Sequence, residues 1–280
     1  MILITTAGKV GSEAARLLAQ RGASVRVLAR DPEKATALRQ VGVDVVEGDL
    51  DAPATIDAAM QDVTSVVLVS PAVPAQELNV VDSAARAGVG HVVKITSKAS
   101  ADSPIARQRG QAQIEAGLIA SGLGYTLLRN NFYMQNFLML APEIAKTNGF
   151  GSSAGAGHVG LIDTHDVAAV AAEIAALPAA HVGKTYVLTG PELLSYADVA
   201  AALSKVLGRP IVFSERTIEE EKQAMMSVGV PEPIAAMNAH AVSLIAEGDA
   251  AWLSEDVPTI LGRPARTFEQ FATDHAAAFS

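Results

Sequence analysis

A short glycine turn near the start of the chain has the residue types that bind phosphate. Gly8-Lys9-Val10-Gly11 follows the apolar run of residues 1–5 and precedes a helical stretch that we expect to begin at Ser12. Gly8 would let the backbone approach a phosphate, and the unpaired N–H groups at the helix start would face the anion. A full dinucleotide fingerprint carries a further glycine where this chain has Thr5. The turn alone is therefore also compatible with an ordinary strand–helix connection.

A positive charge ends the second predicted strand, at the position that distinguishes the two nicotinamide coenzymes. Arg30 follows the predicted strand of residues 24–29 and stands 19 residues after Gly11, close to the spacing of about 20 in dinucleotide-binding folds. A carboxylate there would bond the ribose hydroxyl of NAD, whereas a guanidinium can form charge-assisted bonds with the 2′-phosphate of NADP. Turn and arginine together predict NADPH as the cofactor. A solvated charge at a strand end is the alternative interpretation of Arg30.

The tyrosines do not form the acid pair with which many carbonyl reductases protonate their substrate. In that pair a lysine four residues after a tyrosine lowers the phenol pKa, so that the phenol can donate its proton. The residues four positions after the tyrosines at 125, 133, 186 and 196 are arginine, phenylalanine, glycine and alanine. The catalytic residues are therefore unknown. Lys98 and Tyr133 are candidates, with a surface lysine and a packing aromatic as the alternatives.

The missing acid pair bears on the kind of molecule that could be reduced. Hydride transfer to a quinone or a delocalised dye gives a product whose charge is spread over a conjugated system, so its proton can come from water. A simple ketone would need a dedicated acid. We therefore expect an NADPH-dependent oxidoreductase acting on conjugated, electron-poor acceptors. The alternative is a non-catalytic protein that binds NADP(H) and regulates a partner.

Strand and helix patterns alternate from residue 1 to about residue 130, which sets the architecture around these residues. Residues 65–69 are almost entirely β-branched or leucine, as expected of a parallel strand buried on both faces. The alternation predicts an α/β fold, a Rossmann-type doubly wound parallel sheet. Further on we expect a helix over residues 132–145 and a loose glycine-rich stretch over residues 148–160. The last part is mostly helical.

These patterns predict two domains with interleaved boundaries. We expect residues 1–132 to form an NADP-binding Rossmann domain that residues 157–190 rejoin. Residues 191–280 are then a smaller, mostly helical substrate-binding lobe, to which residues 133–156 contribute.

The composition excludes several classes of function. The 280 residues carry a net charge of −9 and no cysteine. An acidic chain without basic runs argues against nucleic acid as a partner, and no apolar stretch nears the roughly 18 residues of a membrane span. Without cysteine there are no disulfides, thiolate catalysis or zinc–sulfur sites. We expect a cytoplasmic monomer or homodimer, with no flavin, no metal and no membrane partner.

Segments along nearly the whole chain resemble the NmrA-like branch of the atypical short-chain dehydrogenases/reductases. The resemblance is closest to the group that contains type-2 quinone oxidoreductase and triphenylmethane reductase. It is carried by the order and spacing of the segments 25–34, 48–50, 121–133, 163–168, 183–190, 219–222 and 229–233. One departure concerns Gln111, which stands where relatives can carry histidine and cannot relay a proton as histidine could.

The resemblance implies a set of cofactor and substrate residues. The pyrophosphate would be held by Thr6, Ala7, Gly8, Lys9, Val10 and Gly11, and the 2′-phosphate by Arg30. Adenine would be bordered by Asp49 and Leu50, the ribose and linker by Ser70 and Pro71, and the nicotinamide end by Thr96, Ser97 and Lys98. A small conjugated acceptor would contact Asn131, Phe132, Tyr133 and Phe137. The family also contains NmrA-type regulators, which keeps the sensor alternative open.

Overall fold

The chain folds into eleven strands and twelve α-helices, which a computed structural model describes over residues 1–280. The strands are β1 (Ile2–Ile4), β2 (Val25–Ala29), β3 (Asp44–Glu47), β4 (Ser65–Leu68), β5 (His91–Ser97), β6 (Gly124–Asn130), β7 (Gly149–Ser152), β8 (His158–Val159), β9 (Lys184–Leu188), β10 (Leu194–Ser195) and β11 (Val212–Glu215). The helices are α1 (Lys9–Gln20), α2 (Thr36–Gln40), α3 (Pro53–Ala59), α4 (Pro74–Ala87), α5 (Ala106–Ala120), α6 (Ala141–Thr147), α7 (Thr164–Ala176), α8 (Tyr196–Leu207), α9 (Ile218–Ser227), α10 (Glu232–Ser243), α11 (Asp256–Leu261) and α12 (Phe268–Asp274). None of these helices combines the length and the apolar character needed to span a lipid bilayer.

A seven-stranded sheet forms the centre of the fold, in the order β3-β2-β1-β4-β5-β6-β9. The pairs from β3 to β6 are all parallel. Val66 and Val67 in β4 are fully buried because helices cover both faces of the sheet. The predicted Rossmann-type sheet is confirmed. Its strand order reverses between β1 and β4, and open sheets of this kind bind ligands at that reversal, outside the carboxyl ends of the strands.

The helices around the sheet are positioned by their apolar faces. α1 turns Val10, Ala14 and Leu18 inward and packs against α7, which also contacts β4 and β5. α7 is apolar on nearly every side, and ten of its thirteen residues are buried, so it serves as a core helix rather than a surface one. α3, α4 and α5 pack in series, and α4 ends at Gly88, whose φ of +70° closes the helix in the left-handed conformation.

The chain divides into two compact units. The first consists of residues 1–130 and 164–187, and the second of residues 131–163 and 188–280. The segment that rejoins the first unit therefore begins at Thr164 and brings α7 with it.

The second unit has a core of its own, built on aromatic rings. Phe137 lies 5.3 Å from Phe268 and 5.1 Å from Tyr196, ring centre to ring centre. Phe150 joins the same cluster. α8 begins with a capping box in which Ser195 and Asp198 bond each other's backbone N–H groups, an arrangement that fixes a helix start.

Two stretches of the second unit differ from the sequence prediction. The helix expected over residues 132–145 is a 3-10 segment (Met134–Met139) followed by α6, because Pro142 cannot donate to the turn before it and restarts the helix. The glycine-rich stretch expected to be loose contains β7 and β8. β7 pairs in parallel with β11, about sixty residues later in the chain. No local sequence pattern indicates this pairing.

Candidate functional site

The glycine turn lies between β1 and α1, where it presents the start of a helix. α1 begins at Lys9, three residues earlier than predicted, with Gly8 as its N-cap residue. No side chain caps this helix and its first turn contains no acidic residue. The first-turn N–H groups and the positive end of the helix dipole are thus available to an anion. A Cβ on Gly11 would collide with the carbonyl oxygen of Thr6, so glycine is required where the helix passes the turn.

Thr5, which replaces a fingerprint glycine, has a structural role in the sheet. Its hydroxyl donates to the carbonyl oxygen of Val69 at 2.7 Å and accepts from the N–H of Val69 at 2.9 Å. Thr6 donates to the same carbonyl oxygen at 3.1 Å. The Thr5 side chain is 1 % exposed and its φ is not positive. Nothing at this position demands glycine, and the side chain ties the ends of β1 and β4 together.

Arg30 is exposed directly after β2 and has no hydrogen-bond or ion-pair partner within the chain. The neighbouring acid is already engaged: Asp31 accepts from the N–H of Glu33 at 3.2 Å and pairs with Lys34 at 3.1 Å. The bond from Lys34 lowers the pKa of Asp31 below its ordinary value. The guanidinium of Arg30 is therefore a free cation at the carboxyl edge of the sheet.

Other predicted cofactor residues follow the next strands at the same edge. Asp49 and Leu50 come after β3, in a segment held by Thr55, whose hydroxyl accepts from the N–H of Asp49 at 3.0 Å. Asn79 donates to the carbonyl oxygen of Leu50 at 2.9 Å. Ser70 and Pro71 follow β4.

Thr96, Ser97 and Lys98 lie at the end of β5. The Thr96 hydroxyl is buried and donates to Glu115 at 3.1 Å. Glu115 also takes two bonds from Arg129, at 2.5 and 3.2 Å. Ser97 is half-buried and Lys98 is exposed. Because parallel strands end together, these residues and those above share one edge of the first unit.

The predicted acceptor-binding residues belong to the second unit. Asn131 is buried, donates to the carbonyl oxygen of Ala250 at 3.0 Å and accepts from the N–H of Phe132 at 2.9 Å. Phe132 and Tyr133 are half-buried. Phe137 is 1 % exposed and packs inside the aromatic cluster, and its contact with the acceptor stays a prediction.

Tyr186 and Tyr196 each have a defined environment within the protein. Tyr186 bonds His181 at 2.8 Å. Burial raises the pKa of Tyr196, and the nearby Glu221 raises it further, so this phenol is a poor proton donor. No three histidine, aspartate or glutamate side chains come together as they would around a metal ion.

Sequence reasoning missed a fully buried ion pair behind the site. Lys94 lies in the middle of β5 and its ammonium is 2.7 Å from Glu77 of α4, with both side chains completely buried. A lysine inside the apolar run of residues 91–97 was a usable signal, because a buried charge needs a partner.

Comparison with known proteins identifies the family. The model of the NmrA-like family matches residues 1–263. The chain belongs to the NmrA-like family. The NAD(P)H azoreductase of Xenophilus azovorans is 38 % identical over 283 residues, covering 100 % of this chain and 99 % of the relative. Quinone oxidoreductase 2 of Escherichia coli is 31 % identical over 278 residues, covering 96 % of each.

The fold agrees with this membership. The solved structure of the Escherichia coli NADPH-dependent quinone oxidoreductase in complex with NADPH matches with a TM-score of 0.89 at 28 % identity, over 99 % of this chain and 100 % of that one. The predicted NmrA-like membership is thus confirmed, as is the predicted relation to the quinone oxidoreductase group.

Proposed function

We propose that this NmrA-like protein is an NADPH-dependent oxidoreductase that reduces small conjugated acceptors such as quinones and azo compounds. The observation that carries the proposal is the carboxyl edge of the sheet. That edge carries the uncapped start of α1 after β1 and the free cation of Arg30 after the neighbouring strand β2. The full-length similarity to an azoreductase and a quinone oxidoreductase supports the reaction class.

The residues at this edge fit NADPH. The first-turn N–H groups of α1 would take the pyrophosphate, with Gly8 leaving room for it, and Arg30 would take the 2′-phosphate. Asp49 and Leu50 remain the predicted neighbours of adenine, and Ser70 and Pro71 those of the ribose and linker. When bound, NADPH would supply the hydride, and the protein would hold the coenzyme and the acceptor in the orientation that hydride transfer needs.

The choice of acceptor follows from the absence of a tyrosine–lysine acid pair. Tyr186 is bonded to His181 and Tyr196 is buried with a raised pKa. A conjugated acceptor can take its proton from water after hydride transfer, which a simple ketone does poorly. Phe132 and Tyr133 stay the predicted residues on the acceptor side, because their rings are the half-buried aromatics of the 131–137 segment.

The test is steady-state oxidation of NADPH, followed at 340 nm, with a panel of quinones, azo dyes, cationic dyes and enones. We expect turnover with at least one conjugated class. Calorimetry with NADPH in the same preparation measures binding independently. Tight binding with no oxidation by any acceptor would leave the NmrA-type sensor as the function, and no binding at all would remove both.

A further inference from the structure

The buried pair of Lys94 and Glu77 is unusual because neither side chain reaches solvent. The ammonium lies 2.7 Å from one carboxylate oxygen of Glu77 and donates to the carbonyl oxygen of Ile95 at 2.5 Å. Burial lowers the pKa of Lys94, and the charge of Glu77 opposes that shift. Replacing such a pair by apolar side chains of similar volume is often neutral or stabilising. Stability alone therefore gives little reason for two charges here.

The second carboxylate oxygen of Glu77 points to the loop between β4 and α4, residues 69–73. It accepts from the hydroxyl of Ser70 at 2.6 Å. Since the single hydroxyl proton is used in that bond, the Ser70 oxygen is free to accept, and it does so from the N–H of Ala72 at 3.1 Å. One continuous series, made of hydrogen bonds and the Lys94–Glu77 ion pair, thus runs from the backbone of Ile95 to the backbone of Ala72.

The conformation that this series holds is a strained one. Ala72 has a φ of +63°, in the left-handed region that disfavours residues with a Cβ. On the other side, Gly110 of α5 lies against the loop: a Cβ there would be 3.3 Å from Cγ of Pro74 and 3.7 Å from the carbonyl oxygen of Ala72. Strained backbone persists where the surroundings over-determine it, and it concentrates at ligand sites.

We propose that Lys94 and Glu77 are positioning residues for the coenzyme, acting through Ser70 on the 69–73 loop. The inference rests on the proposed function, in which Ser70 and Pro71 border the ribose and linker. The lysine cannot touch a ligand because it is fully buried. Its effect is to hold the Glu77 carboxylate in place, so that Ser70 and Ala72 stay in their bonded geometry.

The ribose and linker are common to NADPH and NADH, which makes the proposal distinguishable from the role of Arg30. Loosening the loop should weaken both coenzymes by the same factor. We expect about 10-fold in Kd for each, the factor that corresponds to 1.4 kcal/mol, with KM for the acceptor unchanged.

The experiment compares four variants with the wild type by calorimetry with NADPH and NADH, by steady-state kinetics with a quinone that the wild type reduces, and by thermal melting. The double variant Lys94→Met with Glu77→Leu removes the charges while keeping the volume. Ser70→Ala cuts the series at the loop, and combining it with the double variant should add no further loss, because both remove the same connection. Val80→Ala, in a fully buried position of α4, is the control that lowers stability without touching the series.

In the double variant and in Ser70→Ala, we expect the affinities for NADPH and NADH to fall by the same factor. Val80→Ala should melt at a lower temperature but bind both coenzymes as the wild type does. Wild-type affinity in a folded double variant overturns the inference, because a loss in Ser70→Ala alone can come from the contact of Ser70 with the ribose. Wild-type affinity in Ser70→Ala overturns it as well, even if the double variant fails to fold. Equal binding losses in Val80→Ala overturn it as well, since the effect would then be general destabilisation. A wild type that binds neither coenzyme refutes the proposed function instead.

Discussion

Replacing Arg30 by alanine should remove most of the preference for NADPH over NADH. Arg30 is exposed at the end of β2 and has no partner in the chain, so nothing but the coenzyme loses a contact. Hydrogen bonds to charged groups contribute about 1.5–3 kcal/mol, and an exposed position with salt screening places this one near the lower end. We expect Kd for NADPH to rise about 10-fold, with NADH unchanged.

The assay is calorimetric titration with each coenzyme at fixed ionic strength. Arg39→Ala is the matched control, because Arg39 is another exposed cation of the same region and is paired with Glu33 at 3.2 Å. It should bind both coenzymes as the wild type does. Equal losses for NADPH and NADH in Arg30→Ala would refute the reasoning, as would a similar NADPH loss in Arg39→Ala.

Four further predictions concern the site and the sheet. Gly11→Ala should lower the melting temperature by several degrees, since its Cβ would overlap the Thr6 carbonyl at a cost of about 1–3 kcal/mol. Gly8→Ala should keep the melting temperature, because the nearest atom to its Cβ is 3.8 Å away, yet weaken NADPH binding. Burial lowers the pKa of His91 below its ordinary 6.5, with His181 adding to the shift, so the unfolded state binds more protons below pH 6.5 and the melting temperature should fall as the pH drops from there. That fall should be smaller in His91→Gln, whose amide can still bond Thr126. Finally, a quinone should be reduced about 100-fold faster than a simple cyclic ketone, because no tyrosine of the chain is followed four residues later by lysine and a positioned acid contributes on the order of 100-fold or more.

Results opposite to those expected would contradict specific steps of the reasoning. Unchanged melting in Gly11→Ala would show that the turn can move away from the helix. A pH dependence equal in wild type and His91→Gln would assign the acid sensitivity to other groups. Comparable rates with ketone and quinone would mean that the protein holds a proton donor.

The local parts of the fold were predictable from sequence. β5 spans the predicted residues because the β-branched Val92, Val93 and Ile95 dominate His91–Ser97 and polar residues end it. α1 starts earlier than predicted. Glycine is a weak helix former, so the sequence pattern around Gly8 and Gly11 did not indicate that the first helical turn lies there. β7 could not be predicted, since its partner β11 lies about sixty residues away.

In the candidate site too, some residues were predictable from the sequence and others were not. Residues placed by strand ends, such as Arg30 and Thr96, lie where the strand pattern puts them, and their ligand roles stay predictions. Lys94 was conspicuous as a cation in an apolar strand, but its partner Glu77 depends on how α4 packs against β5. The burial of Phe137 was not predicted, because exposure of an aromatic ring is decided by tertiary packing, here against Phe268.

The interleaved order of the two units limits how this chain can be shortened or synthesised. A fragment ending at residue 130 would contain the six strands β1–β6 but lack α7, whose ten buried residues cover β4 and β5 and pack on α1. Such a fragment would expose apolar surface to water and is expected to aggregate. During synthesis on the ribosome, the first unit likewise cannot complete its fold until residues up to 187 have emerged.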